Sequence, residues 1–146
     1  MNNEPILAAL AELIRARLSV GNPIKSALYA TVAEQREELH TYAVLQTSKT
    51  QATEIIPGNY TWRFPCRLFA FFYPHESGEY TAENVDAWME ELGLALVAAC
   101  SSLLESPPDD LNALPLDATV TGPIHWAPSA SGGYEGSVNF TLTVQF

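Results

Sequence analysis

Beyond Arg67 the chain has no lysine or arginine: residues 68–146 hold eleven carboxylates and not one base. The first 67 residues hold all seven basic side chains against six acidic ones, so the halves carry +1 and −11 and the whole carries −10. A one-signed half repels copies of itself in most orientations. It suits a neighbour that meets the few bases, or a polyanion that must not stick. A pI near 4.5 argues against gripping nucleic acid, because phosphate binding needs clustered Lys and Arg that release counterions. No apolar run reaches the roughly eighteen residues of a membrane span. Glu4 precedes the first apolar stretch and Glu12 interrupts it, against a secretory signal. Cys66 and Cys100 are too few for a disulfide framework, so buried free thiols in a reducing compartment are expected.

Catalytic signatures are missing as well. There is no phosphate-binding Gly-x-x-x-x-Gly-Lys loop, no dinucleotide fingerprint and no Gly-x-Ser-x-Gly elbow. Ser131-Gly132-Gly133 has the flexibility of an anion cradle but neither a following helix nor a base, and reads as a hairpin loop. His40, His75 and His125 lack the short spacings that put two ligands on one helix face or strand. His75 with Glu76 and Glu79 is a local oxygen and nitrogen cluster, and a solvated turn explains it. Cys66 falls on an apolar strand face that disfavours a thiolate nucleophile. Glu90-Glu91 and Asp109-Asp110 read as solvated acids rather than an acid/base pair. No metal, cofactor or catalytic residue is expected, and the chain does not read as an enzyme.

What is present is a folding pattern. At 146 residues and 47% hydrophobic, residues 1–146 suit a single domain with one core. Glu4 and Pro5 after Asn3 suit a helix start, and Ile6, Leu10, Leu13, Ile14 and Leu18 recur at helical spacing until Gly21 and Pro23, predicting a helix over about 4–19. Residues 24–39 are ambiguous between a short strand near Ala27–Val32 and a helical turn. His40–Thr47 reads as a strand and Ala52–Pro57 as its hairpin partner across the polar tip 47–51. The longest strand signal follows. Trp62, Phe64, Cys66, Leu68, Ala70 and Phe72 lie on one face, and Arg63, Pro65, Arg67, Phe69, Phe71 and Tyr73 on the other. Pro65 cannot donate to a ladder, which predicts an edge or a bulge there. After an acidic turn, 74–80, Thr81 caps a second helix over 82–104, with an apolar stripe through Val85, Trp88, Met89, Leu92 and Leu96. Pro107 and Pro108 stop it. An interrupted strand, Leu116–Trp126, bends at Gly122-Pro123. A flexible loop over Ser129–Gly136 leads to a last strand in which Val138, Phe140, Leu142 and Val144 alternate with polar residues.

Assembled, the pattern predicts an α+β domain: a four- to five-stranded, mostly antiparallel mixed sheet with two long helices packed on one face. The other face then carries Arg63, Arg67, Phe69, Phe71, Tyr73 and a threonine row. An exposed patch with three aromatics marks a contact with another chain more often than a monomer surface. The bland alternative is a cover from a loop or from residues 24–39. The expected subunit interface is therefore Arg63, Arg67, Phe69, Phe71 and Tyr73. His75, Glu76, Glu79 and Tyr134 are expected to face a partner or, where copies close into a ring, its lumen.

Leu68-Phe69-Ala70-Phe71-Phe72-Tyr73-Pro74 followed by Val85-Asp86-Ala87-Trp88-Met89-Glu90 resembles the tail terminator family of tailed bacteriophages, the lambda-type minor tail protein U. The order of elements agrees, down to a closing strand like Phe140-Thr141-Leu142-Thr143-Val144. The chain differs at 47–60 and around Pro107–Leu116, where it is longer. The resemblance implies a structural virion protein of the tail or neck, assembled in the host cytoplasm. It would form a hexameric ring that caps the tail tube, stops its growth and meets the head connector protein. The expected partners are copies of itself, the tail tube protein and the connector. DNA passes through without specific binding, and no membrane is involved. A ring of basic-to-acidic contacts fits the charge division, and an acidic lumen, formed by the 74–80 turn or the exposed side of the second helix, repels phosphates within about 8 Å. The alternatives are a head-completion or connector protein of the same neck, or a small-ligand-binding domain with a pocket under Trp88 and Met89.

Overall fold

A computed structural model of the chain describes residues 4–30, 41–47, 51–56, 59–73, 80–111, 113–130 and 132–145. Helix α1 (Glu4–Arg17) leads through a single 3-10 turn (Pro23–Ser26) to β1 (Leu28–Tyr29), β2 (Tyr42–Thr47), β3 (Gln51–Ile56) and β4 (Asn59–Phe72). The long helix α2 (Ala82–Glu105) follows, then β5 (Leu114–Val120), β6 (His125–Pro128) and β7 (Tyr134–Gln145). The expected α+β class is what the chain adopts. Seven strands form one mixed sheet, in which only β1 and β2 run parallel among the described pairs.

The sheet is five positions wide because two of its positions are shared. The central strands β4 and β7 pair antiparallel from Thr61–Gln145 to Phe72–Tyr134. Along the far edge of β4, β2 covers Cys66–Phe71 and β3 covers Asn59–Arg63. Along the far edge of β7, β5 covers Phe140–Gln145 and β6 covers Tyr134–Ser137.

Two expectations change here. β2 and β3 are not hairpin partners: both pair with β4, one after the other, and the hairpin is β3–β4. Pro65 lies inside a central strand, in register with Thr141 of β7. On its other side it falls between the last β2 pair, Thr47–Cys66, and the first β3 pair, Gln51–Arg63. The interruption coincides with the residue that has no N–H to offer.

The period-two pattern of β4 and β7 decides which face the helices cover. Phe64, Leu68, Phe72, Phe140 and Leu142 are buried on one face, together with Ile6, Leu10 and Ile14 of α1 and Met89, Leu92, Leu96 and Leu103 of α2, in one continuous core. Each such side chain contributes about 1.5–3 kcal/mol by leaving water. Thr81 caps α2, its hydroxyl accepting from the Asn84 N–H at 3.2 Å. By length and composition α2 would be apolar enough to cross a membrane, with a mean hydropathy of 1.4 over its best stretch. Val85, Met89, Leu92, Leu96 and Leu103 of this helix are buried in the core.

The basic residues near α1 are absorbed into the fold. Lys25 Nζ donates to the carbonyls of Arg15 and Leu18 at 2.7 and 2.8 Å, placing a cation at the negative end of the helix. Arg15 pairs with Glu12 and donates to the Leu28 carbonyl, and Arg17 reaches Ser102 Oγ on α2.

Asn22 is a structural residue that Gly21 and Pro23 conceal in the sequence, where the segment reads only as a helix stop. It is buried, its Oδ1 accepts from the Ile24 N–H at 3.0 Å, and its Nδ2 donates to Trp88 O and Glu91 Oε1 at 3.3 Å each. Asn22→Ala is expected to cost about 1–3 kcal/mol, because a buried N–H and a helix contact lose their partner together. A lower urea midpoint with an unchanged slope is the readout; an unshifted midpoint would show that water replaces the amide.

Two glycines shape the β5–β7 edge. Gly122 turns the chain between β5 and β6 at φ 122°, a left-handed conformation that side chains disfavour. A Cβ on Gly136 would meet Trp126 Cβ at 2.9 Å and the His125 carbonyl at 3.1 Å, so β6 lies against β7 only because nothing projects there. The expected loop over Ser129–Gly136 is shorter in the structure: Ser129 N–H bonds to the Gly133 carbonyl at 2.7 Å, and Tyr134 already begins β7.

Candidate subunit interface on the open sheet face

Strand alternation puts Arg63, Pro65, Arg67, Phe69, Phe71 and Tyr73 on the side of the sheet away from the helices. Registers bring Tyr42, Val44 and Gln46 of β2 beside Phe71, Phe69 and Arg67. Asn139, Thr141 and Thr143 of β7 lie across from Arg67, Pro65 and Arg63. All five expected interface residues therefore share one face.

Their exposure is uneven. Arg63 and Arg67 are exposed, whereas Phe69, Phe71 and Tyr73 are half-buried. The expected exposed aromatic patch is thus partly covered. Tyr42 sits 6.1 Å from Phe69 and 6.2 Å from Phe71, Phe71 sits 6.3 Å from Tyr73, and the Arg67 guanidinium lies 5.1 Å from the Phe69 ring centre. A cation over an aromatic face at an exposed site contributes about 0.5–1 kcal/mol. Val44, opposite Phe69 on this face, is 1% exposed and stands outside the main core.

Among the described residues, neither Arg63 nor Arg67 makes a hydrogen bond or ion pair, unlike Arg15, Arg17 and Lys25. Gln46 and Asn139, the register neighbours of Arg67, offer no opposing charge. Beside Arg67 and Phe69 the surface dips into a hollow of about 230 Å³, closed on the far side by His125, Ala127 and Glu135. Sequence reasoning missed Tyr42, Val44 and His125, because a residue's cross-strand neighbours are set by register and not by local pattern.

His75, Glu76 and Glu79 lie outside the described residues. Tyr134 is half-buried on the helix side of β7, edge-on to Trp126 at 5.8 Å, and so takes part in packing rather than standing on a loop tip. Among the described residues, no group of three or more His, Cys, Asp or Glu side chains is placed to hold a metal.

Trp88 is packed into the aromatic cluster, whereas Met89 also lines a groove of about 490 Å³ between α2 and the β5–β6 corner. Trp88 stacks on Phe72 with ring centres 5.6 Å apart and an 11° tilt, Tyr80 is edge-on to both, and Met89 is 1% exposed. Cys66 and Cys100 are buried free thiols. Burial pushes Cys66 up to about 11, against a smaller opposing pull from a hydrogen bond with Thr47; burial, then the proximity of Cys66, pushes Cys100 up to about 12. At pH 8 the thiolate fractions are then only about one in a thousand and one in ten thousand. Both thiols are expected to resist an alkylating reagent at pH 8 until urea unfolds the chain; rapid native labelling would contradict their placement. With folded values above the ordinary value near 9, the thiol contribution to stability is intact below about pH 9. It is lost as the pH rises toward 11–12, because the unfolded chain releases those protons first.

No protein-family model matches the chain, and no curated protein matches it.

Proposed function

We propose that this chain is a structural ring protein of a phage or phage-derived tail, whose copies close around an axis to cap the tail tube, end its growth and meet the head connector. The observation that carries this reading is the pair Arg63 and Arg67: two exposed cations on a half-buried, partly aromatic sheet face, without a hydrogen bond or ion pair among the described residues, in a chain with no base after residue 67. A neighbouring copy supplies opposite charge from almost any part of its second half. A basic patch meeting a different, acidic patch is a heterologous contact, the type from which rings are built.

The resemblance of residues 68–74 and 85–90 to the tail terminator family supports the choice of a tail ring, with a hexamer as its expected form. The acidic surface supports a passage for DNA, since Glu83, Asp86 and Glu90 are exposed on α2 and none of them forms an ion pair among the described residues. Expected partners are sister copies, the tube protein and the connector, within the virion.

Electron micrographs of the purified protein, alone and with isolated tail tubes, test this directly. Rings with a central hole that sit on tube ends are expected. Featureless particles under both conditions would refute the proposal.

A further inference from the structure

The outer face of α2 carries two apolar side chains that the core does not use. Leu94 is 65% exposed and Val97 48%. Glu90 lies four residues before Leu94, so carboxylate, leucine and valine form one stripe along the helix. The stripe borders a groove of about 490 Å³ between α2 and the β5–β6 corner at Gly122, Pro123 and Ile124. Asp86, at one end of the groove, is engaged, accepting from Trp126 Nε1 at 2.8 Å. Glu90 has no hydrogen bond or ion pair among the described residues.

The chain also carries the complement of this stripe. The hollow on the open sheet face is bordered by Phe69 and Ala127 and flanked by Arg67, which has no ion pair among the described residues. One surface is thus apolar with a spare carboxylate; the other sets Phe69, Trp126 and Ala127 beside the Arg67 guanidinium, in a mixed rim that also holds His125, Glu135 and Ser137. They belong to opposite layers of the fold, so no single copy can bring its own two together.

We infer that the α2 stripe of one copy docks on the open sheet face of the next, with Leu94 seated in the hollow and Glu90 reaching Arg67. This rests on the ring reading and names the two patches it requires. Burying Leu94 and Val97 removes apolar surface from water, which supplies affinity, while the Glu90–Arg67 pair sets register. Because the patches differ, each copy offers one to each neighbour, and the contact repeats around an axis.

Sedimentation of the 146-residue chain and four variants, Leu94→Glu, Glu90→Arg, Arg67→Glu and the Glu90→Arg/Arg67→Glu pair, tests the contact. Leu94→Glu and Glu90→Arg are each expected to raise the concentration needed for ring formation at least tenfold, with unchanged circular dichroism and melting, since both positions are exposed. Combining Glu90→Arg with Arg67→Glu is expected to restore most of the loss. Single variants that assemble like the parent, or a charge swap no better than either single change, would overturn the docking while leaving the ring standing. Single variants that keep the ring but fail to cap tail tubes would reassign the stripe to the tube protein and overturn it too. A parent protein that never assembles would remove both the docking and the ring.

Discussion

Phe72→Ala is expected to lower the free energy of unfolding by about 3–5 kcal/mol, the range for emptying a fully buried aromatic site. Phe72 is 0% exposed, is stacked on Trp88 and meets Tyr80 edge-on at 5.7 Å. It therefore joins the end of β4 to the first turns of α2. Its neighbour Phe71 has the same side chain on the opposite, half-buried face. Phe71→Ala is expected to cost markedly less. Urea midpoints of the two variants, with slopes checked for constancy, make the comparison. Equal losses would mean that the open face is as tightly packed as the core, and the interface assignment would fail with that.

The second large effect is on assembly. Changing Arg63 and Arg67 together to glutamate is expected to abolish the ring while shifting stability by no more than about 0.5 kcal/mol, since both are exposed and neither has an ion pair among the described residues. The change turns the attraction for an acidic neighbour into repulsion, and the repulsion is strongest at low salt. Sedimentation at low and physiological ionic strength reads it. Assembly like that of the parent would remove both arginines from the interface, and a collapse in stability would show that they hold the monomer together instead.

Much of this architecture was legible from period alone. Helices α1 and α2 and strands β4 and β7 are long, and each repeats its apolar positions several times, so burial leaves few alternatives. The Gly122-Pro123 bend was legible because both residues constrain the backbone. The placing of β2 and β3 was not. Two short strands separated by a polar tip look like a hairpin, and only the length of β4, Asn59–Phe72, lets both lie along one of its edges. The site divides in the same way. Arg63, Arg67, Phe69, Phe71 and Tyr73 alternate within one strand and are found together by counting. Tyr42, Val44 and His125 arrive from other strands through register, which local patterning does not encode. Leu94 and Val97 were hidden for a different reason. In an apolar helix the outward leucine resembles the inward ones until the partner surface is known.

The central claim is that copies of this chain complete one another. Native mass spectrometry of the purified protein, across a concentration series and with tail tubes added, measures it most directly. The account predicts a closed species of roughly six times the 16.0 kDa chain mass, without a ladder of open-ended larger forms. A 16.0 kDa species alone, at every concentration and on added tubes, would contradict it.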